Sequence, residues 1–147
     1  PVISNTRKIE VSGARAVAMA KEKLTPDKIM TVEAFENALR VLFAVGGSTN
    51  AIVHLTAMAG RLGIKLDLEA FDKMGRETPV LVDLKPTGQG YMEDLYKAGG
   101  LATILREIKH QMNLKALTVT GRTLGEELAE ATPAWDQQVV RKFKDPV

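Results

Sequence analysis

The chain has no cysteine among its 147 residues. This absence excludes disulfide bonds, thiolate zinc sites, iron–sulfur ligation and a cysteine nucleophile within the chain. It contains only two histidines, which excludes a metal site built from three histidines. Any cofactor chemistry of these kinds must therefore depend on residues outside this sequence.

Aromatic residues are scarce, at 5 %, and 20 basic residues nearly balance 18 acidic ones. A base-stacking platform and a strongly basic surface are thus both missing, so we expect no nucleic-acid partner. No apolar run approaches the roughly 20 residues that span a bilayer, so we expect no membrane partner. The first residues, Pro1–Asn5, lack the basic and apolar regions of a signal peptide.

What remains is the composition of an ordinary globular chain, 45 % hydrophobic and 26 % charged. The length fits one domain or a piece of a larger one. The clearest helix follows Thr31, a predicted N-cap. Its apolar stripe is Phe35, Ala38, Leu39, Leu42 and Phe43.

Capping residues and glycines predict further helices over 12–24, 48–62, 67–74, 92–98, 101–112 and 123–131. The predicted N-caps are Ser12, Ser48 or Thr49, Asp67, and Thr123 in a capping box with Glu126, and Gly75 is predicted to end the helix after Asp67. Two short apolar segments, 79–84 and 117–120, are predicted as strands. Thr132–Pro133 is predicted to end the last helix, and Trp135 to anchor the segment after that proline. The predicted fold class is helix-rich α/β. Its two strands form a poor sheet alone and make better sense as part of a larger one.

Gly46–Asn50 (Gly-Gly-Ser-Thr-Asn) is the most informative local motif, because it joins two apolar helices. Ser48, Thr49 and Asn50 place two hydroxyls and an amide at a helix start, where free N–H groups and the helix dipole favour an anion. The simpler interpretation, which the spacing alone favours, is a glycine stop followed by an ordinary Ser/Thr cap.

His54 lies four residues after Asn50, so both side chains can share one helix face. Its imidazole can serve as an acid, a base or an orienting donor. The alternative, favoured by these residues alone, is a buried histidine hydrogen-bonded to a carbonyl.

The Lys85–Gly90 loop follows the carboxyl end of a predicted strand, a common ligand position in α/β sheets. A plain turn explains the same residues equally well.

Several segments together are more specific than any one of them. In order along the chain they are Phe35–Ala38, Gly46–Leu55, Pro79–Gly88, Met92–Leu95, Ala98–Gly100 and Thr118–Leu124. In this order and spacing the chain resembles the dihydroxy-acid dehydratase / 6-phosphogluconate dehydratase family. The resemblance extends from about Ser12 to Phe143.

The resemblance implies a hydro-lyase that dehydrates 2,3-dihydroxy carboxylic acids or sugar acids to 2-keto acids. It also implies an iron–sulfur cluster and magnesium as cofactors, with their ligands and the catalytic serine in other segments. No catalytic and no metal-binding residue is therefore predicted in this chain, which alone should be inactive. Ser48, Thr49, Asn50 and His54 become candidates for binding the hydroxy-acid substrate or supporting the cluster.

By the same resemblance the chain is an internal fragment of a longer enzyme. Residues 1–116 are predicted to be the later part of its N-terminal α/β domain. Residues 117–147 are predicted to connect to, or begin, a C-terminal barrel domain. The parent enzyme is expected to be a cytoplasmic homodimer or higher oligomer. The alternative function is a stand-alone helical module that binds a small anion at the helix start formed by Gly47–Asn50.

Overall fold

The computed structural model of the chain describes residues 2–86, 88–131 and 136–147. Within these ranges, helices dominate and are joined by short turns. The helices are α1 (Val2–Glu22), α2 (Pro26–Ile29), α3 (Val32–Ala44), α4 (Thr49–Arg61), α5 (Leu68–Glu77), α6 (Met92–Lys97), α7 (Gly100–Ile108) and α8 (Leu124–Glu130), with a 3₁₀ turn at Lys109–Gln111 after α7.

Helix α3 is central, because α4, α5 and α7 all pack against it. Its predicted apolar stripe is confirmed: Phe35 and Leu39 are buried, and the other members are partly buried. Asn37 is a buried polar residue on this helix. Its amide donates to the Asn113 carbonyl (3.1 Å) and accepts from the Asn113 N–H (2.8 Å), which satisfies both ends of the side chain.

The main hydrophobic core lies where α6 and α7 meet the segment around Leu81. Its buried members are Ala44, Leu81, Val82, Leu95, Ala98, Ile104, Ile108 and Val140. The Leu81 N–H donates to the Ala44 carbonyl at 2.7 Å, which ties this segment to the end of α3.

The helix-rich part of the predicted fold class is confirmed, but the two predicted strands are wrong. Among the described residues, β-structure is limited to isolated bridges such as Val82–Val140 and Leu117–Thr123. The segment 79–84 is extended, yet its backbone groups pair with a helix end and with single residues such as Arg141 instead of a neighbouring strand. A short extended segment without a strand neighbour forms no ladder.

Two predicted helix limits are also wrong. Ser12 does not cap a helix but lies inside α1, where its hydroxyl donates to the Lys8 carbonyl (2.8 Å). Gly75 does not end α5, which continues to Glu77. A β-carbon at Gly75 would lie in ordinary van der Waals contact, 3.6 Å from the Phe43 ring, so this position of α5 packs on α3. The predictions for Thr132–Pro133 and Trp135 lie outside the described residues.

Candidate functional site at the start of helix α4

The turn between α3 and α4 is a Schellman motif. The Gly47 N–H donates to the Leu42 carbonyl (2.9 Å) and the Gly46 N–H to the Phe43 carbonyl (3.0 Å). Gly46 has a left-handed backbone, with φ of +61°. A β-carbon on Gly47 would lie 2.3 Å from the end of the Leu42 side chain and 3.2 Å from the Leu42 carbonyl oxygen, so a larger residue there would force Leu42 to shift. The left-handed backbone at Gly46 and the tight approach at Gly47 both favour glycine at the predicted stop of α3.

Ser48 is the N-cap of α4, and its hydroxyl accepts a hydrogen bond from the Asn50 N–H at 3.2 Å. The simpler interpretation of the motif as a glycine stop with a serine cap is thus confirmed for this N–H. The side chains of Thr49 and Asn50 are exposed at the same helix end. The helix start keeps two polar side chains that can face a ligand, in addition to its cap.

His54 is exposed, so its interpretation as a buried histidine is wrong. It lies one helical turn after Asn50, and the two side chains share the face of α4 that points away from α3. The structure therefore brings an amide and an imidazole together on one open surface, and Ser48 only anchors the helix beneath them.

The described residues do not fit an iron–sulfur cluster or a protein-held metal ion. The chain has no cysteine to bind iron. Across the described ranges there is also no group of three or more histidine, aspartate or glutamate residues that could hold a metal.

The second candidate, the Lys85–Gly90 loop, is held by Asp83. The Asp83 carboxylate accepts from the Gln89 N–H (2.9 Å), and its carbonyl accepts from the Gly90 N–H (3.0 Å). A β-carbon at Gly88 would lie 2.1 Å from the carboxylate, so glycine is required there. The loop presents Lys85, whose ammonium donates to the Tyr91 hydroxyl at 2.5 Å.

The extended segment after Pro79 connects the two candidate regions. At one end, Val80 lies 3.4 Å from the position of a β-carbon on Gly46. At the other end, Asp83 holds the Lys85–Gly90 loop. The sequence alone did not relate these two motifs, because they are more than thirty residues apart.

Sequence reasoning missed a cleft of about 670 Å³ between the start of α3 and the segment after the 3₁₀ turn. Its polar lining includes Lys28, Glu33, Asn113 and Lys115. The Asn113 amide donates to the Glu36 carboxylate at 2.7 Å, and the Lys28 ammonium to the Lys23 carbonyl at 2.6 Å. These side chains are far apart in sequence and form no motif, so no local signal indicated the cleft.

Two of the carboxylates with a lowered pKa lie on α8. Hydrogen bonds from the Thr123 N–H and hydroxyl hold the pKa of Glu126 below its usual value. Arg122 donates to both oxygens of Glu130 and lowers the pKa of that carboxyl in the same way. Capping and ion pairing explain both shifts, so they do not indicate a catalytic acid.

Comparison with known proteins assigns the chain to a family. The sequence model described as "Dihydroxy-acid/6-phosphogluconate dehydratase N-terminal" matches residues 3–127. The chain therefore belongs to the dihydroxy-acid/6-phosphogluconate dehydratase family, as its motifs predicted.

Individual relatives carry names from two branches. L-arabonate dehydratase of Azospirillum brasilense is 45 % identical over all of this chain, which covers 26 % of that protein. Dihydroxy-acid dehydratase of Methanosarcina barkeri is 42 % identical over 92 % of this chain and 25 % of its own length. L-arabinonate dehydratase of Rhizobium leguminosarum bv. trifolii is 42 % identical over 95 % of this chain and 25 % of its own length. The chain thus spans about a quarter of the length of these relatives.

None of the described helices combines the length and the apolar character that a bilayer span requires.

Proposed function

We propose that this chain is part of a hydro-lyase that removes water from a 2,3-dihydroxy acid or a sugar acid. The observation that carries the proposal is the family match over residues 3–127. The names of the relatives, L-arabonate dehydratase and dihydroxy-acid dehydratase, support the reaction class and leave both substrate branches open. The motifs Met92–Asp94, Ala98–Leu101 and Leu105–Glu107 favour the sugar-acid branch.

In this reaction the substrate loses the proton on C2 and the hydroxyl on C3, which leave as one water molecule. The resulting enol tautomerises to a 2-keto acid. The proposal includes an iron–sulfur cluster and magnesium, both held by residues outside this chain, because the described residues do not fit either group. We also propose that the full-length enzyme is located in the cytoplasm and forms a homodimer or a larger assembly.

The contribution we assign to this chain is a wall of the substrate pocket. Thr49 and Asn50 lie at the start of α4, where the helix dipole favours a negative group such as the substrate carboxylate. His54 lies one turn further on the same exposed face and can donate a hydrogen bond to a hydroxyl. Ser48 holds the helix start through its bond to the Asn50 N–H.

The test uses the full-length enzyme with a panel of sugar acids and branched dihydroxy acids. We expect Asn50→Ala and His54→Ala to raise KM for the preferred acid without lowering the melting temperature. Thr56→Ala is the matched control, because Thr56 is also exposed on α4 but faces away from Asn50 and His54. An unchanged KM in both variants would remove these residues from the substrate site.

The stand-alone anion module predicts a different result. The 147-residue chain alone would then be stabilised by phosphate or a hydroxy acid, and Asn50→Ala would abolish that thermal shift. Dehydratase activity of the full-length enzyme together with no shift in the isolated chain supports the hydro-lyase proposal.

A further inference from the structure

Helix α4 has an exposed face that is almost free of charge. Nine of its thirteen residues are exposed, and only the last of them, Arg61, is charged. The uncharged exposed residues are Thr49, Asn50, Val53, His54, Thr56, Ala57, Met58 and Gly60. A helix at a water-facing surface normally carries charged residues on its outer face, and a helix with few on any face is usually buried.

The packing of α4 explains little of this composition. Helix α4 rests on α3, and Ala59 is its buried residue. Val53 and Met58 remain 66 % and 43 % exposed, on different sides of the helix. The small side chains of Ala57 and Gly60 leave room for another backbone to approach closely.

A separate open apolar groove lies between α2, α3 and the side of α4 that carries Leu55 and Met58. It has a volume of about 190 Å³ and is lined by apolar side chains that include Ile29, Met30, Ala38, Leu55 and Met58. The side chains that line it are all apolar. Water in the groove would therefore lie against hydrophobic surface, which is unfavourable. Side chains from a covering segment can fill it and gain the free energy of apolar burial.

We propose that the face of α4 formed by Asn50, Val53, His54, Ala57 and Gly60 is an internal interface of the full-length protein. Its occupant is the polypeptide of the same protein outside residues 1–147. This inference rests on the proposed function, because it needs the longer chain. The matched relatives have about three quarters of their length outside the aligned region, which supplies the covering segment.

The chemistry of the face defines the surface that covers it. That surface is apolar and closely packed at Val53 and Ala57, and it accommodates the charge of Arg61, which lies one turn after Ala57 at the end of the helix. At Asn50 and His54 it supplies hydrogen-bond partners, because both polar side chains would otherwise lose water without replacement. Both residues then lie at the edge of an interface, where a ligand can contact them.

The test introduces an exposed ion pair, Val53→Glu with Ala57→Lys, whose i, i+4 order favours an isolated helix. In the 147-residue chain we expect an unchanged or slightly higher melting temperature. In the full-length protein the same two substitutions bury charge, and we expect the melting temperature to fall by about 5 °C or more. The control is the reversed pair Glu69→Lys with Lys73→Glu on α5, which should lower both melting temperatures by the same small amount.

A second measurement avoids any folding defect. Ala57→Cys and Lys73→Cys are made separately in the full-length protein, and peptide mass spectrometry follows maleimide labelling at each position. We expect labelling at position 57 to be about tenfold slower or more, because a covered thiol is poorly accessible.

Equal labelling rates, or full-length stability unaffected by the α4 pair, would overturn the proposal. A reading frame that encodes only this chain would also overturn it. So would a dimer of the isolated chain that dissociates in the Val53→Glu, Ala57→Lys variant, since a second copy would then cover the face. The proposed function is tested separately: an inactive wild-type full-length protein contradicts the hydro-lyase but leaves the labelling result valid.

Discussion

Helices α4 and α5 pack against the same helix, α3, and are nevertheless built differently on their outer faces. Helix α5 has ten residues, and its exposed positions include five charged ones: Glu69, Asp72, Lys73, Arg76 and Glu77. Helix α4 has thirteen residues and a single charged one, Arg61. The outer face of α5 suits water, whereas that of α4 suits another protein surface.

The inner faces differ as well. Helix α5, which packs on α3, buries the Phe71 ring, which is 5 % exposed. Helix α4 has one fully buried residue, the small Ala59, and its larger apolar residues Ile52 and Leu55 are only partly buried. In this chain α5 is therefore anchored by an aromatic side chain, and α4 lies shallowly on its neighbour.

The largest predicted effect tests this difference in anchoring. We expect Phe71→Ala to lower the free energy of unfolding by about 3–4 kcal/mol, because it removes a buried ring and leaves a cavity. Met58→Ala on α4 should lower it by less than about 1 kcal/mol, since that side chain is already half in water. Urea unfolding of the isolated chain measures both. Similar losses would contradict the view that α5 is anchored more deeply.

The second prediction uses two glycines at α4. We expect Gly46→Val to destabilise the chain by about 1–2 kcal/mol, because a β-branched residue is strained at the left-handed φ of the α3–α4 turn. Gly60→Ala should instead stabilise the isolated chain by about 0.5 kcal/mol or more, since Gly60 is helical and its β-carbon would meet nothing within 4 Å. Thermal unfolding shows whether each variant is more or less stable than the original chain. Destabilisation by Gly60→Ala would show that α4 is more crowded than the structure indicates.

The third prediction concerns a feature that the two helices share. Ser48 caps α4 through the Asn50 N–H, and Asp67 caps α5 through the Glu69 N–H at 3.1 Å. We expect Ser48→Ala and Asp67→Ala each to lower the free energy of unfolding by about 1 kcal/mol. Chemical denaturation of the two variants checks this. A much larger loss for Ser48→Ala would mean that the serine has a role beyond capping.

The smallest effect depends on pH and contrasts α4 with α8. The pKa values of Glu126 and Glu130 are lower in the folded state than the usual glutamate value of 4.5. The ionised side chains therefore stabilise the fold above pH 4.5, and this stabilisation is lost as the pH falls through the lower folded pKa values. Helix α4 contains no carboxylate. In NMR amide exchange, corrected for intrinsic rates, α8 should lose protection on acidification before α4 does. Earlier loss in α4 would contradict this assignment.

Local hydrogen-bond chemistry made several features predictable. The caps at Thr31, Ser48, Asp67 and Thr123 were all expected, and in each the side chain accepts from an N–H two or three residues ahead. The glycine stop after α3 and the capping box of Thr123 with Glu126 are equally local. Such signals need no distant contact, which is why one sequence suffices to find them.

Packing decided the features that were missed. Ser12 and Gly75 carry typical boundary signals, yet the backbone of α1 and the Phe43 ring accommodate them inside helices. The short apolar segment at 79–84 indicated a strand, but its partners are the end of α3 and residues near Val140. These partners are distant in sequence, so the apolar composition of the segment carried no information about them.

The sequence by itself determined the family, the helix caps and the absence of any cysteine-based cofactor site, because motifs, N–H donors and ligand types are properties of single segments. Only the tertiary structure decided that His54 and Asn50 lie on an open face, and that α4 exposes one charged residue, Arg61, where α5 exposes five. Exposure depends on which helices pack together. Helix α3 covers one side of α4, and among the described residues no comparable element covers the other side.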